Sequence, residues 1–264
     1  MVVFYTGLQM RLHYELQGEG RPLLILHGFL GSSDNWRAMR KRFASTYKVF
    51  CLDQRNHGNS PHSDIMDYTV MAEDLREFLA EQSLSNVCLL GHSMGGKVAM
   101  QFASESPEIV AKLVIVDISP KAYPPSHQPI LQAMQNLELG GLKTYGQAEA
   151  ALRAMIADSA LSKFVVKNLT RDPTGAFQWR IGLDELGANY DELIKAPAIL
   201  NRFAKPTCFI RGALSRSIED QDFAAIREYF PLAEFHTVPN AGHWVHIDAP
   251  EEFHRIVDEY LRRP

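Results

Sequence analysis

The feature that most restricts how this chain can fold is a rhythm. Short apolar β-rich runs alternate with longer helical patterns: PLLIL (22–26) precedes SSDNWRAMRKRFAS, and YKVFCLD (47–53) precedes DYTVMAEDLREFLAEQ. NVCLLG (86–91) precedes MGGKVAMQFASES, and KLVIVDI (112–118) follows. Runs that are apolar throughout, rather than at every second residue, suit strands buried on both faces, and intervening helices make such strands parallel. The expected fold is α/β, a mostly parallel, doubly wound sheet. The rhythm stops at Ser119-Pro120 and resumes at PTCFIRG (206–212), followed by EDQDFAAIREYF, EFHTVP (234–239) and PEEFHRIVDEYLRR. Between lie the helical patterns PILQAMQNLELG and AEAALRAMIADSALSKFVVKNL and a Pro–Gly turn signal at 173–175. This divides the chain into a core, 1–120 and 201–264, and a helical cap, 121–200, inserted after the sixth core strand. The strand count begins with VVFYT and QMRLHYELQ, which flank Gly7 and read as an amino-terminal hairpin.

Composition narrows the function. The 264 residues are 46% hydrophobic and 22% charged, an ordinary globular mix, and the net charge of −4 offers no basic stripe for nucleic acid. The one basic run, Arg40-Lys41-Arg42, reads as a solvated helix face. Cys51, Cys88 and Cys208 each sit inside an apolar run, which favours buried thiols over disulfides, a metal site or a nucleophile. The amino terminus lacks the pattern of a signal peptide, and no apolar stretch nears the ~20 residues that span a bilayer. A cytoplasmic protein without membrane or nucleic-acid partners is expected.

Chemistry concentrates in Gly91-His92-Ser93-Met94-Gly95, a G-x-S-x-G between a predicted strand and a predicted helix. In that context the serine occupies a sharp turn, the nucleophile elbow, flanked by small residues and held at the amino terminus of a helix. The backbone N–H of Met94 is a candidate donor to an oxyanion. HGFLGSSDNW (27–36) opens at the same sheet edge, and the N–H of Phe29 is the candidate second donor. His27 is assigned to stabilising that loop, while Trp36 either lines a pocket or packs its helix.

A serine nucleophile needs a base, and among ten histidines His243 in PNAGHWVHIDAPEEF is selected by position. It follows the last predicted strand and precedes a helix with Asp248 as candidate N-cap and Pro250 in its first turn. His246 is its close competitor. His236 and His254 read as structural, His92 as packing under the nucleophile, and His57 as stabilising its loop or touching substrate. The carboxylate partner is harder to place. Three residues past Gly212, where many hydrolases of one large fold carry their aspartate, stands Ser215. Glu219 and Asp220 lie nearby but open a predicted helix. Asp117 ends a strand that should neighbour the nucleophile's, about 4.8 Å away, and a buried carboxylate there would require a partner. Asp117 is therefore the assigned acid, with Asp220 or Glu219 as alternatives, and Asp53 is read as loop scaffolding.

HGFLGSSDNW, DQRNHGNS, GHSMGG, VDISP and AGHWVH together resemble the YbfF-type bacterial esterases, a small-lidded branch of the α/β-hydrolase superfamily, over essentially the whole core. The resemblance implies a Ser–Asp–His hydrolase of short acyl esters and acyl thioesters, with its acid after strand six and no cofactor or metal. The expected partner is thus a small-molecule ester or thioester. A carbon–carbon bond hydrolase or lyase with the same triad, and a slow-turnover ligand receptor, are the alternatives. Phe164, Phe177, Trp179 and Tyr190 in the cap either roof an apolar pocket or pack the cap's own core.

Overall fold

The computed structural model describes residues 10–264. In chain order the core begins with strands β1 (Tyr14–Gln17) and β2 (Arg21–Leu26), helix α1 (Arg37–Phe43) and strand β3 (Tyr47–Leu52). Helix α2 (Tyr68–Glu81), strand β4 (Val87–His92), helix α3 (Met94–Glu105) and strand β5 (Val110–Val116) follow. The inserted segment contains α4 (Gln128–Gln135), α5 (Tyr145–Met155), α6 (Ser159–Val166), β6 (Leu169–Arg171), β7 (Phe177–Trp179), α7 (Leu183–Ala188) and α8 (Tyr190–Leu193). The core closes with β8 (Thr207–Gly212), α9 (Asp222–Tyr229), β9 (Ala233–Val238), α10 (Val245–Asp248) and α11 (Pro250–Arg262).

Seven strands form one sheet in the order β1-β3-β2-β4-β5-β8-β9, parallel except where β1 pairs antiparallel with β3. VVFYT and Gly7, the first arm of the predicted hairpin and its turn, lie outside the described residues. Among the described strands the insertion therefore follows the fifth, β5. Successive strand residues feed opposite faces: Leu23 and Ile25 join the cluster with Trp36, Phe43 and Phe253, while Leu24 and Leu26 join the one with Phe78, Val98 and Phe102. Burying both faces is what makes the strand runs continuously apolar. The inserted helices extend the second cluster through Leu131, Leu152 and Val165, so they rest on the core with a shared interior.

Several local expectations are corrected. The pattern 148–169 is two helices, because the Asp158 carboxylate accepts from Ala160 N and Leu161 N and starts a new helix there. Next comes a hairpin, β6–β7, whose turn is held by Asp172 accepting from Thr174 N and Ala176 N. Its three-residue strands are too short to carry a periodicity. Helix α9 starts at Asp222, not at Glu219 or Asp220. Asp248 does not cap α11; Ala249 holds that place and Asp248 turns back toward the preceding loop. The basic run is only partly solvated, since Arg40 pairs with Glu15 at 3.2 Å and Arg42 with Glu251. Cys51, Cys88 and Cys208 are buried free thiols, and burial pushes Cys51 up to about 12. Among the described residues no helix is long and apolar enough to cross a membrane.

Candidate active site

Strand β4 ends at His92 and helix α3 begins at Met94, leaving Ser93 alone at the junction with φ +52° and ψ −120°. This is a costly conformation for a residue with a side chain, and it persists because the turn is tied on both sides. Ser93 N–H donates to Val116 O, and Ser93 O accepts from Gly96 N and Lys97 N. The turn is so tight that a Cβ on Gly91 would lie 2.3 Å from Gly95 O. Loop 27–31 comes equally close: a Cβ on Gly28 would sit 2.8 Å from His92 Nδ1 and 3.1 Å from the Ser93 Cβ. The loop's backbone is thereby brought beside the serine. Neither Phe29 N–H nor Met94 N–H has a hydrogen-bond acceptor among the described residues, so both donors are unoccupied.

Register places the carboxylate. His92 of β4 is paired with Val116 of β5, so Ser93 and Asp117 are the next residues on adjacent parallel strands. Asp117 also has positive φ, +52°, and its N–H is held by Ile210 O of β8. Its side chain is fully buried and bridges strands. Asp117 Oδ1 accepts from Gly212 N at 3.0 Å, and Oδ2 meets both His243 Nδ1 at 2.8 Å and the hydroxyl of Ser215. Ser217 Oγ, 3.1 Å from Ser215 Oγ, lies 3.2 Å from the same imidazole nitrogen.

The loop carrying His243 is fixed from two directions. His92 Nε2–H donates to His243 O at 2.9 Å, and Asp248 Oδ2 accepts from Gly242 N at 2.8 Å. Burial, then the neighbouring His243 and His246, hold the His92 imidazole well below its ordinary value, so it acts as a neutral donor. With Nδ1 on Asp117, the other nitrogen of His243 is left for the site. Ser93 and His243 line the same cavity and are not hydrogen-bonded to one another; such contacts commonly tighten when substrate binds.

Two cavities meet at these residues. The larger, about 250 Å³, extends beneath the inserted segment past Ile118, Tyr123, Leu193 and Lys97. The smaller, about 50 Å³, runs the other way past Leu30, Trp36, Phe164 and Trp244. Lys97, one helical turn beyond Ser93, sends its ammonium to Lys195 O and Ile194 O and lies over the rings of Tyr68 and Tyr123. Burial depresses it to about 8. Of the four cap aromatics, Tyr190 and Phe164 line the cavities, while Phe177 is buried in cap packing and Trp179 packs against it.

The remaining candidates separate by their partners. His27 Nε2 accepts from Gln54 N and its Nδ1–H donates to Gly28 O; His57 Nε2 accepts from Leu30 N and its Nδ1–H donates to Arg55 O. Both brace the loops. Burial lowers His27 and pushes His57 down to about 3. His246 stacks on Trp36 at 4.0 Å between ring centroids, and burial pushes it down to about 3. Asp53 accepts from Ser33 N and Asn59 N, a scaffold for the loop. Asp220 is paired with Arg211 and exposed, and Glu219 lies in the same outer turn, so neither meets His243. Sequence reasoning missed Ser217, Lys97 and His127, gave Asp248 the role of a helix cap, and read Ser215 only as a vacancy. That vacancy was the single available signal.

A parallel sheet with a serine at a strained strand–helix junction and an imidazole–carboxylate pair at the same edge defines an α/β hydrolase. The chain belongs to the α/β-hydrolase fold family, whose model matches residues 21–250. It is 35% identical over 247 residues to the sn-1-specific diacylglycerol lipase ABHD11 of Mus musculus, covering 90% of this chain and 80% of that one. With the esterase YbfF of Escherichia coli it shares 30% identity over 249 residues, 93% of this chain and 94% of the relative. A solved marine microorganism esterase superposes with a TM-score of 0.92 at 38% identity, over 95% of this chain and 99% of that chain. By family the protein is a hydrolase related to esterases and lipases.

Proposed function

We propose that the protein is a serine carboxylesterase acting on short-chain acyl esters, with acyl thioesters as a second substrate class, through Ser93, His243 and Asp117. The observation that carries this reading is the 2.8 Å contact of His243 Nδ1 with buried Asp117 at the rim of a cavity that Ser93 also lines. Asp117 would fix the imidazole tautomer and stabilise the imidazolium. His243 would take the Ser93 proton as Oγ attacks the carbonyl carbon, and the N–H groups of Phe29 and Met94 would receive the oxyanion. Collapse breaks the carbon–oxygen or carbon–sulfur bond, with the proton passing from His243 to the leaving group. Water, deprotonated by His243, then attacks the acyl-enzyme and releases the acid and free Ser93.

The modest volume of the larger cavity and its apolar walls favour a short acyl chain, and the segment 121–200 serves as its roof. Three buried free cysteines fit a reducing cytoplasm. The test is a panel of p-nitrophenyl esters from acetate to decanoate with matched acyl-CoA thioesters, together with fluorophosphonate labelling and mass mapping. The expected result is turnover highest at short chains and one adduct, on Ser93. Hydrolysis without labelling of Ser93 would remove the reading.

A further inference from the structure

The two cavities share four lining residues: Phe29, Ser93, His243 and His127. The first three are the residues assigned above to the chemistry. The fourth comes from the cap, just before α4, and has no assigned role. A substrate laid across both cavities places its scissile bond at their junction, beside His127.

Two hydroxyls face Nδ1 of the His127 imidazole. His127 N–H donates to the Tyr190 hydroxyl at 2.8 Å, which leaves the phenol's own hydrogen free to reach His127 Nδ1, 3.2 Å away. Ser126 Oγ lies 3.4 Å from the same nitrogen. With Nδ1 accepting, the proton is on Nε2. The ring is braced edge-on against Phe29 at 5.3 Å, and Nε2 has no hydrogen-bond partner among the described residues, nor is it among their occluded unpaired polar atoms. In that tautomer it is an open N–H on a residue that lines both cavities. Burial, and secondarily the proximity of His243, push the imidazole down to about 4, so near neutrality it offers a hydrogen bond rather than a proton.

We propose that His127 Nε2–H donates to the bridging atom of the scissile bond, which makes the cap part of the reacting centre and favours oxygen esters over thioesters. This rests on the serine-hydrolase reading. The carbonyl oxygen is served by backbone donors of the core, so the acceptor left at the junction is the bridging atom. As the bond breaks, negative charge grows there, and a positioned donor stabilises it more than it stabilises bound substrate. Oxygen accepts such a bond well, and sulfur accepts it weakly. The proton that leaves with the alcohol still comes from His243.

The experiment measures kcat/KM for ethyl butyrate and S-ethyl thiobutyrate, which differ only at the bridging atom. In His127→Phe the ratio of ester to thioester should fall about tenfold from wild type, the size of one lost hydrogen bond. His127→Gln, which keeps an N–H donor, should recover most of the ratio, and Tyr190→Phe should give an intermediate fall. A ratio unchanged in His127→Phe, whether or not both activities drop together, would overturn the inference and leave His127 a packing residue. Failure of the underlying reading shows separately, as persistence of both activities in Ser93→Ala.

Discussion

Ser215 Oγ donates a hydrogen bond to Asp117 Oδ2, the same carboxylate oxygen that faces His243 Nδ1. The position after β8 that lacks an acid therefore holds a hydroxyl that supports the acid of the neighbouring strand. With Gly212 N–H on Oδ1, Asp117 has three donors in a place water does not reach. The two strand ends divide one task, β5 supplying the charge and β8 the hydrogen bonds that seat it.

If Asp117 orients the base, Asp117→Asn should lower kcat by up to about 10⁴-fold, because the amide favours the wrong imidazole tautomer. Asp220→Asn should change it little, since Asp220 faces solvent beside Arg211. Steady-state kinetics on a p-nitrophenyl ester decides between them. The opposite order would move the acid to the outer turn.

Removing the supporting hydroxyl should act through the carboxylate rather than on substrate. Ser215→Ala is expected to reduce kcat about tenfold with KM nearly constant, the scale of one hydrogen bond to a charged group. A change confined to KM would instead place Ser215 in substrate binding.

Ser93 is the proposed nucleophile and also has a strained backbone. Ser93→Ala should lower kcat by about 10⁶-fold, by analogy with serine protease triads. Ser93→Gly should be equally inactive yet more stable, by about 1 kcal/mol, because glycine adopts φ +52° and ψ −120° without a Cβ penalty. Urea unfolding of the two variants compares them directly, and equal midpoints would show that the turn is unstrained.

Buried neutral histidines should make the protein acid-sensitive. His57 and His246 are pushed down to about 3 and His127 to about 4, while in the unfolded chain each protonates near 6.5. Below 6.5 the unfolded state takes up protons that the native state refuses. Their contribution is thus complete above pH 6.5 and is lost as pH falls toward 4 for His127 and toward 3 for His57 and His246, by about 2–3 kcal/mol per histidine at pH 4.5. Urea midpoints at pH 7.5, 6.0 and 4.5 should fall in that order. His246→Phe, which keeps a ring on Trp36, should fall less steeply. An equal slope in that variant would remove His246 from the account.

The features legible from the sequence are those written within a dozen neighbouring residues. PLLIL, NVCLLG and KLVIVDI announce buried parallel strands because both of their faces are covered, and Gly91 to Gly95 announces a turn because only small residues fit it. Asp117 was reachable by one further step, the inference that β4 and β5 are adjacent. Ser215 on Asp117 and Ser217 beside His243 gave no such local signal, whereas the division of 148–169 into two helices rests on a local cap, Asp158. His127 at the cavity junction depends on Tyr190, 63 residues away, and on Phe29 across the cap interface. Local pattern determined the strands, their alternation with helices and the tight turn at the serine, because strand burial and turn sterics act between near neighbours. Which polar groups meet around that serine was decided only by tertiary structure, because a hydrogen bond exists or fails on tenths of an ångström between segments that share no sequence.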